Sequence, residues 1–229
     1  MDDIARPIEQ AQSLHVEVTA GNTKVNSPVS LVPDVTVPEI PDYLPDIYYW
    51  AYLNPRNVKL LDREVVVSTI LWQQHKRLQR LAFAEIEPGQ SVLQSTCVYG
   101  SFSANLAEHI GRDGTLDIVD VAKVQVDNAR LKLQAYPQIT VHHANVLHLD
   151  NKPFDVVLCY FLLHEIPDEE KRIATNVLLN KTTPGGKVVF IDYHKPRWWH
   201  PLKLITSLIF DWLEPFAKGM WRNEIQDLA

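Results

Sequence analysis

Residues 91–107 read SVLQSTCVYGSFSANLA, which is an apolar strand followed by a tight loop and the start of a helix. That order is the pattern of a nucleotide-binding turn in an α/β protein. Such turns usually carry two or three glycines, whereas this loop carries only Gly100. The larger side chains of Gln94, Val98 and Tyr99 stand where a cofactor normally meets bare backbone. The stretch is therefore a decayed cofactor site, a coincidence, or a cofactor site altered for different chemistry.

Strands and helices alternate along the chain after this turn. Apolar stretches that predict strands lie at 91–97, 114–121, 138–146, 154–163 and 186–194, and helical stretches lie at 101–110, 123–136 and 168–182. Strands separated by helices predict an α/β protein with a mostly parallel, twisted sheet and helices on both faces. The Pro184-Gly185-Gly186 stretch is typical of a turn that closes the last of these helices.

The composition divides the chain into three segments. Residues 1–45 carry a proline every few positions, which predicts an extended or disordered arm. Residues 46–87 predict a helical cap, with one or two helices after Pro55. Residues 88–229 are the predicted α/β domain, which ends in an aromatic helix with a break at Pro215.

Charge and composition argue against several classes of function. The 229 residues carry a net charge of −6, which disfavours general nucleic-acid binding. No run of about 20 apolar residues predicts a membrane-spanning helix, and the acidic start MDDIARPIEQ is unlike a signal peptide. The two cysteines, Cys97 and Cys159, do not suggest a disulfide framework. We therefore expect a cytoplasmic protein, and the sequence leaves its oligomeric state open.

A ligand of an open α/β sheet lies beyond the carboxyl ends of the strands. Asp120 ends the second predicted strand, about 20 residues after the first strand, where a carboxylate accepts hydrogen bonds from ribose hydroxyls. The alternative is that Asp120 caps the following helix. The predicted cofactor-binding residues are Gln94, Thr96, Val98, Gly100, Asp120, Val121, His143, Ala144, Asn145 and Tyr160, with His143 and Ala144 bordering an adenine.

The pattern resembles the class I S-adenosylmethionine (SAM) methyltransferases over roughly 88–194. The stretch FDVVLCYFLLHEIPDEEKRIATNVLLNKTTPGGKVVFIDYH is similar to the quinone and small-molecule methyltransferases, with His164, Ile166, Pro167 and Asp168 in the turn after the fourth strand. The resemblance implies a Rossmann-like class I methyltransferase fold that binds SAM. Such sheets usually finish with two more strands, and the eight residues after Trp221 are too few for both. Either the sequence is truncated or the sheet ends after five strands.

Four stretches narrow the resemblance to one subfamily. YYWAYLNPRNVKLLDREVVVSTILW, VLQSTCVYGSFS, DIVDVA and EPFAKGMWR together resemble the rhodoquinone-biosynthesis proteins, the RquA family. The resemblance implies conversion of ubiquinone to rhodoquinone, in which an amino group replaces a ring methoxy group. It further implies that SAM supplies the amino group and that a divalent metal such as manganese (Mn2+) assists. Gln94, Thr96 and Val98 replace an acidic residue and two glycines of ordinary methyltransferases, so the cofactor site is interpreted as altered and not lost.

Transfer of an amino group needs a base, because a protonated amine has no lone pair for attack. Histidine titrates near neutral pH, and both His164 and His194 lie at predicted strand ends. We predict that these two histidines are catalytic, together with Tyr99 of the altered loop. The alternative for each histidine is a turn residue or a packed ring.

The sequence does not identify the ligands of the implied metal. His142 and His143 are adjacent on a strand, so their side chains diverge and cannot share one metal without a bulge. The weaker candidates are carboxylates, which suit manganese: Asp150, Asp168 and Asp192.

Aromatic residues are concentrated before Pro55 and in the C-terminal segment from Trp198 onward, which we call the tail. Four of the six tryptophans surround the apolar stretch LITSLIF: Trp198, Trp199, Trp212 and Trp221. That composition suits an entrance for a ubiquinone-type lipid substrate and peripheral contact with the inner face of a membrane. The alternative is a helix that packs on the sheet. The second cluster, which would cap a quinone ring or anchor the arm, comprises Tyr48, Tyr49, Trp50 and Tyr52.

These features together predict a SAM-dependent, quinone-modifying transferase of the rhodoquinone type. Two other functions stay open, an ordinary C- or O-methyltransferase and a catalytically silent protein that binds SAM or quinone. Asp120 and the other strand ends favour an enzyme, and the altered loop favours an unusual transfer over methylation.

Overall fold

The computed structural model describes residues 11–17, 38–149, 152–194, 207, 210–222 and 225–228. Within these ranges the strands are β1 (Ala11–Glu17), β2 (Ser91–Gln94), β3 (Thr115–Asp120), β4 (Ile139–His143), β5 (Phe154–Tyr160) and β6 (Thr182–Tyr193). The α-helices are α1 (Tyr43–Tyr48), α2 (Pro55–Leu61), α3 (Glu64–Ile70), α4 (His75–Phe83), α5 (Phe102–Ile110), α6 (Lys123–Leu133) and α7 (Asp168–Leu179). A π-helical turn, Tyr49–Leu53, and 3₁₀ turns such as Leu163–Glu165 and Ala217–Trp221 complete the description.

The strands form one sheet in the order β1-β6-β5-β2-β3-β4. The five strands β2 to β6 are parallel, as the alternation of strands and helices predicts. Residues that alternate along each strand enter two separate cores, with Val92 on one face and Leu93 on the other. The chain runs outward from β2 in one direction through β3 and β4, and in the other direction through β5 and β6. The carboxyl end of β2 is therefore a topological switch point, the usual ligand position in such sheets.

The sixth strand comes from the proline-rich arm. Ala11–Glu17 is extended, as expected for this segment, but it pairs antiparallel with β6 along its whole length, from Ala11 opposite Tyr193 to Glu17 opposite Lys187. The five parallel strands β2 to β6 are thus extended at the β6 edge by a sixth strand from the N-terminal arm. Pairing between segments this far apart in the chain produces no local sequence pattern. The sequence of the arm therefore predicts only an extended conformation.

Two other boundaries differ from the sequence prediction. Helix starts at Tyr43, so three residues assigned to the arm belong to α1. The Pro184-Gly185-Gly186 stretch lies inside β6 and does not form a turn that closes α7. Gly185 has φ of 81°, and the pairing of β5 with β6 shifts register here, so the extra residues form a bulge.

The tail packs against α7 on one face of the sheet. Residues 210–213 are helical, and Pro215 lies in the turn that follows, which confirms the predicted break. Trp198 and Trp199 lie outside the described residues. Among the helices that the structure describes, none is long and apolar enough to cross a membrane.

Lys171 holds the tail in place. Its side chain is fully buried on α7, and Nζ donates hydrogen bonds to Asp168 Oδ1 at 2.5 Å and to the Phe216 carbonyl at 2.8 Å. A lysine is almost never fully buried without such partners. The contact fixes where the tail meets α7, two residues after Glu214.

We predict that Lys171→Met lowers the free energy of unfolding by about 1–3 kcal/mol, because the Phe216 carbonyl loses its donor. Urea unfolding followed by circular dichroism measures the change. Lys123→Met is the matched control, since Lys123 pairs with Asp127 on the exposed surface of α6, where a pair contributes less than about 1 kcal/mol. Equal losses for the two variants would contradict the anchoring role of Lys171.

Candidate active site

A cavity of about 610 Å³ lies at the carboxyl ends of the parallel strands. Its walls come from the loop after β2, the ends of β3, β5 and β6, the helices between α1 and α4, and the tail. Seven of the predicted site residues line it: Thr96, Val98, Tyr99, Asp120, Val121, Tyr160 and His164. The lining residues do not include the other six: Gln94, Gly100, His143, Ala144, Asn145 and His194.

Gln94 braces the loop from inside the protein. Its side chain is fully buried; the amide nitrogen donates to the Thr96 carbonyl at 2.6 Å, and the amide oxygen accepts from Ser103 Oγ at 3.0 Å. The Gln94 amide thus both donates and accepts a hydrogen bond. An ionised carboxylate at this position could only accept. Gln94 therefore supports the loop and does not face the cavity.

Gly100 is retained for contact with the helical cap. Its φ is 75°, its amide donates to Asp62 Oδ1 at 2.9 Å, and its carbonyl accepts from Lys132 Nζ at 2.9 Å. A Cβ atom at this position would lie 2.8 Å from Glu64 Oε2. Val98 is not among the described residues with positive φ. The loop thus follows a path in which the β-branched Val98 does not adopt the strained positive φ that a glycine tolerates.

Asp120 joins the loop to β3 and also faces the cavity. Oδ2 accepts from Thr96 Oγ1 at 3.0 Å and from the Cys97 amide at 2.9 Å, while Oδ1 accepts from the Ala122 amide at 2.8 Å. Burial raises the pKa of this carboxyl group, and the donors act in the opposite direction. The Cys97 side chain also hydrogen-bonds to this carboxylate, so its roughly four acceptor positions are engaged and a ribose hydroxyl would replace one of these donors.

The residues predicted beside the adenine support the cavity from outside. His143 Nε2 lies 3.1 Å from the Val121 carbonyl, and the Asn145 side chain accepts from the Leu147 amide at 3.0 Å. The Ala144 amide donates to the Asp120 carbonyl at 3.0 Å. These contacts position the residues after β3 without facing the ligand space.

His142 and His143 diverge, as predicted for neighbours on a strand. His142 Nε2 lies 2.6 Å from Asp117 Oδ1, while the His143 ring contacts the Val121 carbonyl. The described residues contain no group of three or more His, Cys, Asp and Glu side chains placed to hold a metal ion. Asp168 pairs with Lys171, and Asp150 lies outside the described residues.

Tyr99 forms part of the cavity wall. Its hydroxyl donates to the Ala51 carbonyl at 2.5 Å and accepts from Gln125 Nε2 at 2.5 Å, and its ring stacks on Tyr52 with centroids 6.1 Å apart. Burial raises the pKa of this hydroxyl well above its usual value. With its polar atom already engaged, Tyr99 is placed to shape the cavity and not to exchange protons.

His164 lies in a buried cluster of carboxylates. Nδ1 is 2.8 Å from Asp192 Oδ1, and Nε2 is 3.2 Å from Glu214 Oε2 and 3.7 Å from Glu165 Oε1. Burial alone would lower the pKa of this imidazole, but the Asp192 and Glu214 carboxylates raise it well above its usual value. The ring is therefore held as a cation near neutral pH, unlike the free base expected from the sequence.

His194 directly follows the end of β6. It is half-buried and does not line the cavity. The geometry thus separates the two histidines that the sequence placed in one role.

The predicted site residues do not include Glu165 or Glu214, although both line the cavity. Tyr48 and Tyr52, from the aromatic cluster predicted to cap a quinone ring or anchor the arm, also line it. The Tyr52 hydroxyl donates to Glu165 Oε1, and the Glu214 carboxylate approaches from the tail. Within the described part of the chain, the buried Tyr48 hydroxyl has no hydrogen-bond partner. Tyr52 lies on the π-helical turn, an irregularity frequent at functional sites. No sequence pattern identifies Glu214 as a cavity residue, because only the folded structure brings the tail next to β6.

Comparison with known proteins agrees with this architecture. Residues 92–186 match the family described as "Methyltransferase domain". A demethylmenaquinone methyltransferase of Bacillus licheniformis is 28% identical over 71% of this chain and 70% of its own length. A ubiquinone biosynthesis O-methyltransferase of Coxiella burnetii is 32% identical over 44% of this chain and 43% of its own length.

A solved structure supports the same fold. The N-methyltransferase NodS from Bradyrhizobium japonicum, in complex with S-adenosyl-L-homocysteine, has a TM-score of 0.51 at 20% identity, over 66% of this chain and 72% of that one. At this identity the likeness concerns the fold alone. The chain spans about 60% of the length of other demethylmenaquinone methyltransferases that it matches, such as that of Bacillus cereus.

We predict that Asp120→Ala weakens binding of S-adenosyl-L-homocysteine by about 1–3 kcal/mol, the cost of leaving hydrogen-bonding groups unpaired. Isothermal titration calorimetry measures the affinity. Asp117→Asn on the same strand is the control, because Asp117 contacts His142 and Lys152 and does not line the cavity. Unchanged affinity in Asp120→Ala would remove this residue from the ribose role.

Proposed function

We propose that this chain is a SAM-dependent transferase that converts ubiquinone to rhodoquinone by replacing a ring methoxy group with an amino group. The observation that carries the proposal is a single cavity that joins the altered loop after β2 to the carboxylate cluster around His164. Two of the similar proteins are named for demethylmenaquinone and ubiquinone biosynthesis, which supports a quinone as substrate.

The residues around Asp120 fit SAM. The Asp120 carboxylate lines the cavity, and the half-buried Thr96, Cys97 and Val98 line the adjoining wall. When bound, SAM would supply either its methyl group or, in the proposed reaction, its amino group. The manganese implied by the family resemblance has no fitting ligand group among the described residues, so no step of this proposal uses a metal.

The distribution of carboxylates favours an amino transfer over a methyl transfer. Ordinary methyltransferases carry an acidic residue at the position of Gln94, whereas this chain places a neutral, inward-facing amide there. Apart from Asp120, the acidic side chains that line the cavity are Glu165 and Glu214, on the side of His164. An ammonium group is stabilised by nearby carboxylates. In this cavity those carboxylates lie beside His164 and not at the position of Gln94 in the loop.

The remaining cavity wall suits an aromatic ring with an apolar tail. Tyr48, Tyr52, Tyr160 and Phe161 line the interior. Four cavity residues are also exposed large apolar side chains: Trp50, Ile70, Trp72 and Leu213. An exposed apolar rim around a cavity is typical of a site that accepts a lipid or meets a membrane surface. We therefore propose a polyprenyl quinone as the substrate and peripheral membrane contact at this rim.

An ordinary quinone methyltransferase is the second candidate function. The match of residues 92–186 to a methyltransferase domain favours it. The two functions differ in which atoms of SAM reach the product.

We predict that purified protein incubated with ubiquinone and SAM carrying labelled amino nitrogen yields a quinone that contains the label. Mass spectrometry of the extracted quinones detects it. A parallel incubation with SAM labelled at the methyl carbon is the control and should give unlabelled product. Methyl label in the product would instead establish the second candidate function.

We predict that Trp212→Ala reduces binding to anionic liposomes by about tenfold or more, because burial of an aromatic side chain contributes about 25 cal/mol per Å². Trp212 is 88% exposed beside the cavity residue Leu213. Turnover of long-tailed quinone should fall more than turnover of short-tailed quinone. Co-sedimentation and kinetic assays provide the measurements.

Ile173→Ala is the matched control, since Ile173 is an exposed apolar residue on α7 that does not line the cavity. Equal effects of the two substitutions on liposome binding would remove the rim from the membrane role.

A further inference from the structure

We propose that Glu165 is the group that takes a proton from the reacting substrate, and that His164 and Tyr52 hold its carboxylate in position. This inference rests on the proposed transferase function, and it assigns the base that such a transfer requires. It replaces the histidine base predicted from the sequence.

Glu165 is placed by the 3₁₀ turn that directly follows β5. The turn Leu163–Glu165 directs its side chain to the cavity, at the carboxyl end of the sheet. Oε1 accepts a hydrogen bond from the Tyr52 hydroxyl and lies 3.7 Å from His164 Nε2. Two elements distant in sequence thus fix one oxygen of the carboxylate. A base held by its surroundings keeps its orientation towards a bound substrate.

His164 is poorly placed to serve as the base. Each of its ring nitrogens already faces a carboxylate, Asp192 at Nδ1 and Glu214 at Nε2. The neighbours stabilise the protonated ring, so its proton is not readily exchanged with substrate. His164 acts instead as a fixed positive charge beside Glu165.

The cavity also contains a donor without a partner. The Tyr48 hydroxyl is buried and forms no hydrogen bond with the described residues, although Tyr48 lines the cavity together with Glu165. A buried hydroxyl without a partner is costly. A carbonyl oxygen of a quinone ring supplies the missing acceptor, which would place the ring beside the Glu165 carboxylate.

The groups that face Glu165 come from every neighbouring element: Tyr43, Tyr48, Tyr52, Tyr99, Cys159, His164, Asp192, Tyr193 and Glu214. Burial raises the pKa of Glu165, the His164 cation and the Tyr52 hydroxyl lower it, and Glu214 and Asp192 raise it; together they place it at about 8. A carboxylate with this affinity for protons is a stronger base than a solvated one and still ionises near neutral pH.

The step moves one proton. The attacking group carries an N–H bond as an ammonium, or an O–H bond as a hydroxyl in the methyl-transfer alternative. That bond breaks, its electron pair remains on the attacking atom, and the proton binds the Glu165 carboxylate. The carboxylate becomes a neutral carboxylic acid, and no oxidant or reductant is consumed.

The pH dependence of turnover tests the role of Glu165. Only the ionised carboxylate accepts the proton, so the rate of the wild-type protein should rise as pH increases through about 8. Glu165→Gln should lower kcat by about 10²- to 10⁴-fold and remove that rise. Glu165→Asp should restore part of the rate. Glu169→Gln, which changes an exposed acidic residue at the start of α7, should leave rate and profile unchanged.

Tyr52→Phe separates positioning from folding. The Tyr52 hydroxyl favours the ionised form of Glu165, so its loss should move the rise in rate to higher pH. A purely structural role would lower the rate at every pH without moving the profile. Unchanged affinity for S-adenosyl-L-homocysteine in all variants shows that the folded cavity is retained.

Infrared difference spectroscopy gives a readout that does not need turnover. A carboxylic acid band should disappear as pH passes through about 8 in the wild-type protein and be absent in Glu165→Gln. Wild-type turnover that carries only methyl label would defeat the proposed amino transfer, and the same variants would still be compared for methyl transfer. Retention of wild-type kcat and pH profile in Glu165→Gln would overturn the role of Glu165.

Discussion

The buried ionic chain from Asp192 through His164 to Glu214 is the interaction on which the rest of the cavity depends. It joins the end of β6, the turn after β5 and the tail, three segments that share no local contact in sequence. Removing one partner of such a chain leaves an unpaired buried charge, which costs about 3–5 kcal/mol. The chain therefore fixes the tail against the sheet, and Lys171 secures it from the other side through the Phe216 carbonyl. The same contacts bring a carboxylate from each of two segments to one wall.

A second set of contacts determines the shape of the altered loop. Asp62 between α2 and α3 accepts from the Gly100 amide and pairs with Lys132 of α6 at 2.7 Å. The loop is thus held by the helical cap, where an ordinary glycine-rich loop would be free to approach a ligand. The buried Gln94 side chain supports the loop through hydrogen bonds with the Thr96 carbonyl and the Ser103 hydroxyl. The absence of further glycines in the loop and the contacts of the loop with the helical cap are thus consistent with each other.

The sequence predicts the parts of this fold that depend on local periodicity. The parallel strands and their helices follow from the alternation of apolar stretches, and Asp120 follows from its position at a strand end. Contacts between distant segments carry no such pattern. The pairing of Ala11–Glu17 with β6, the approach of Glu214 to His164, and the π-helical turn that presents Tyr52 all arise from tertiary packing. For that reason the sequence identified His164 correctly as a cavity residue but not the carboxylates that determine its charge.

The charge of the cavity bears on what it binds. Glu165, Asp192 and Glu214 lie around the cationic side chain of His164 at the ligand end of the sheet. In surroundings of low polarity, unpaired carboxylates are costly, and the resulting rise in the pKa of Glu165 to about 8 reduces the imbalance. A cationic ligand compensates the same charge and lowers the pKa of Glu165, which releases the proton as the ligand binds. For the proposed transferase we therefore expect an ammonium group to be preferred at this wall over a neutral group of equal size, and its arrival to favour the ionised carboxylate that proton transfer needs.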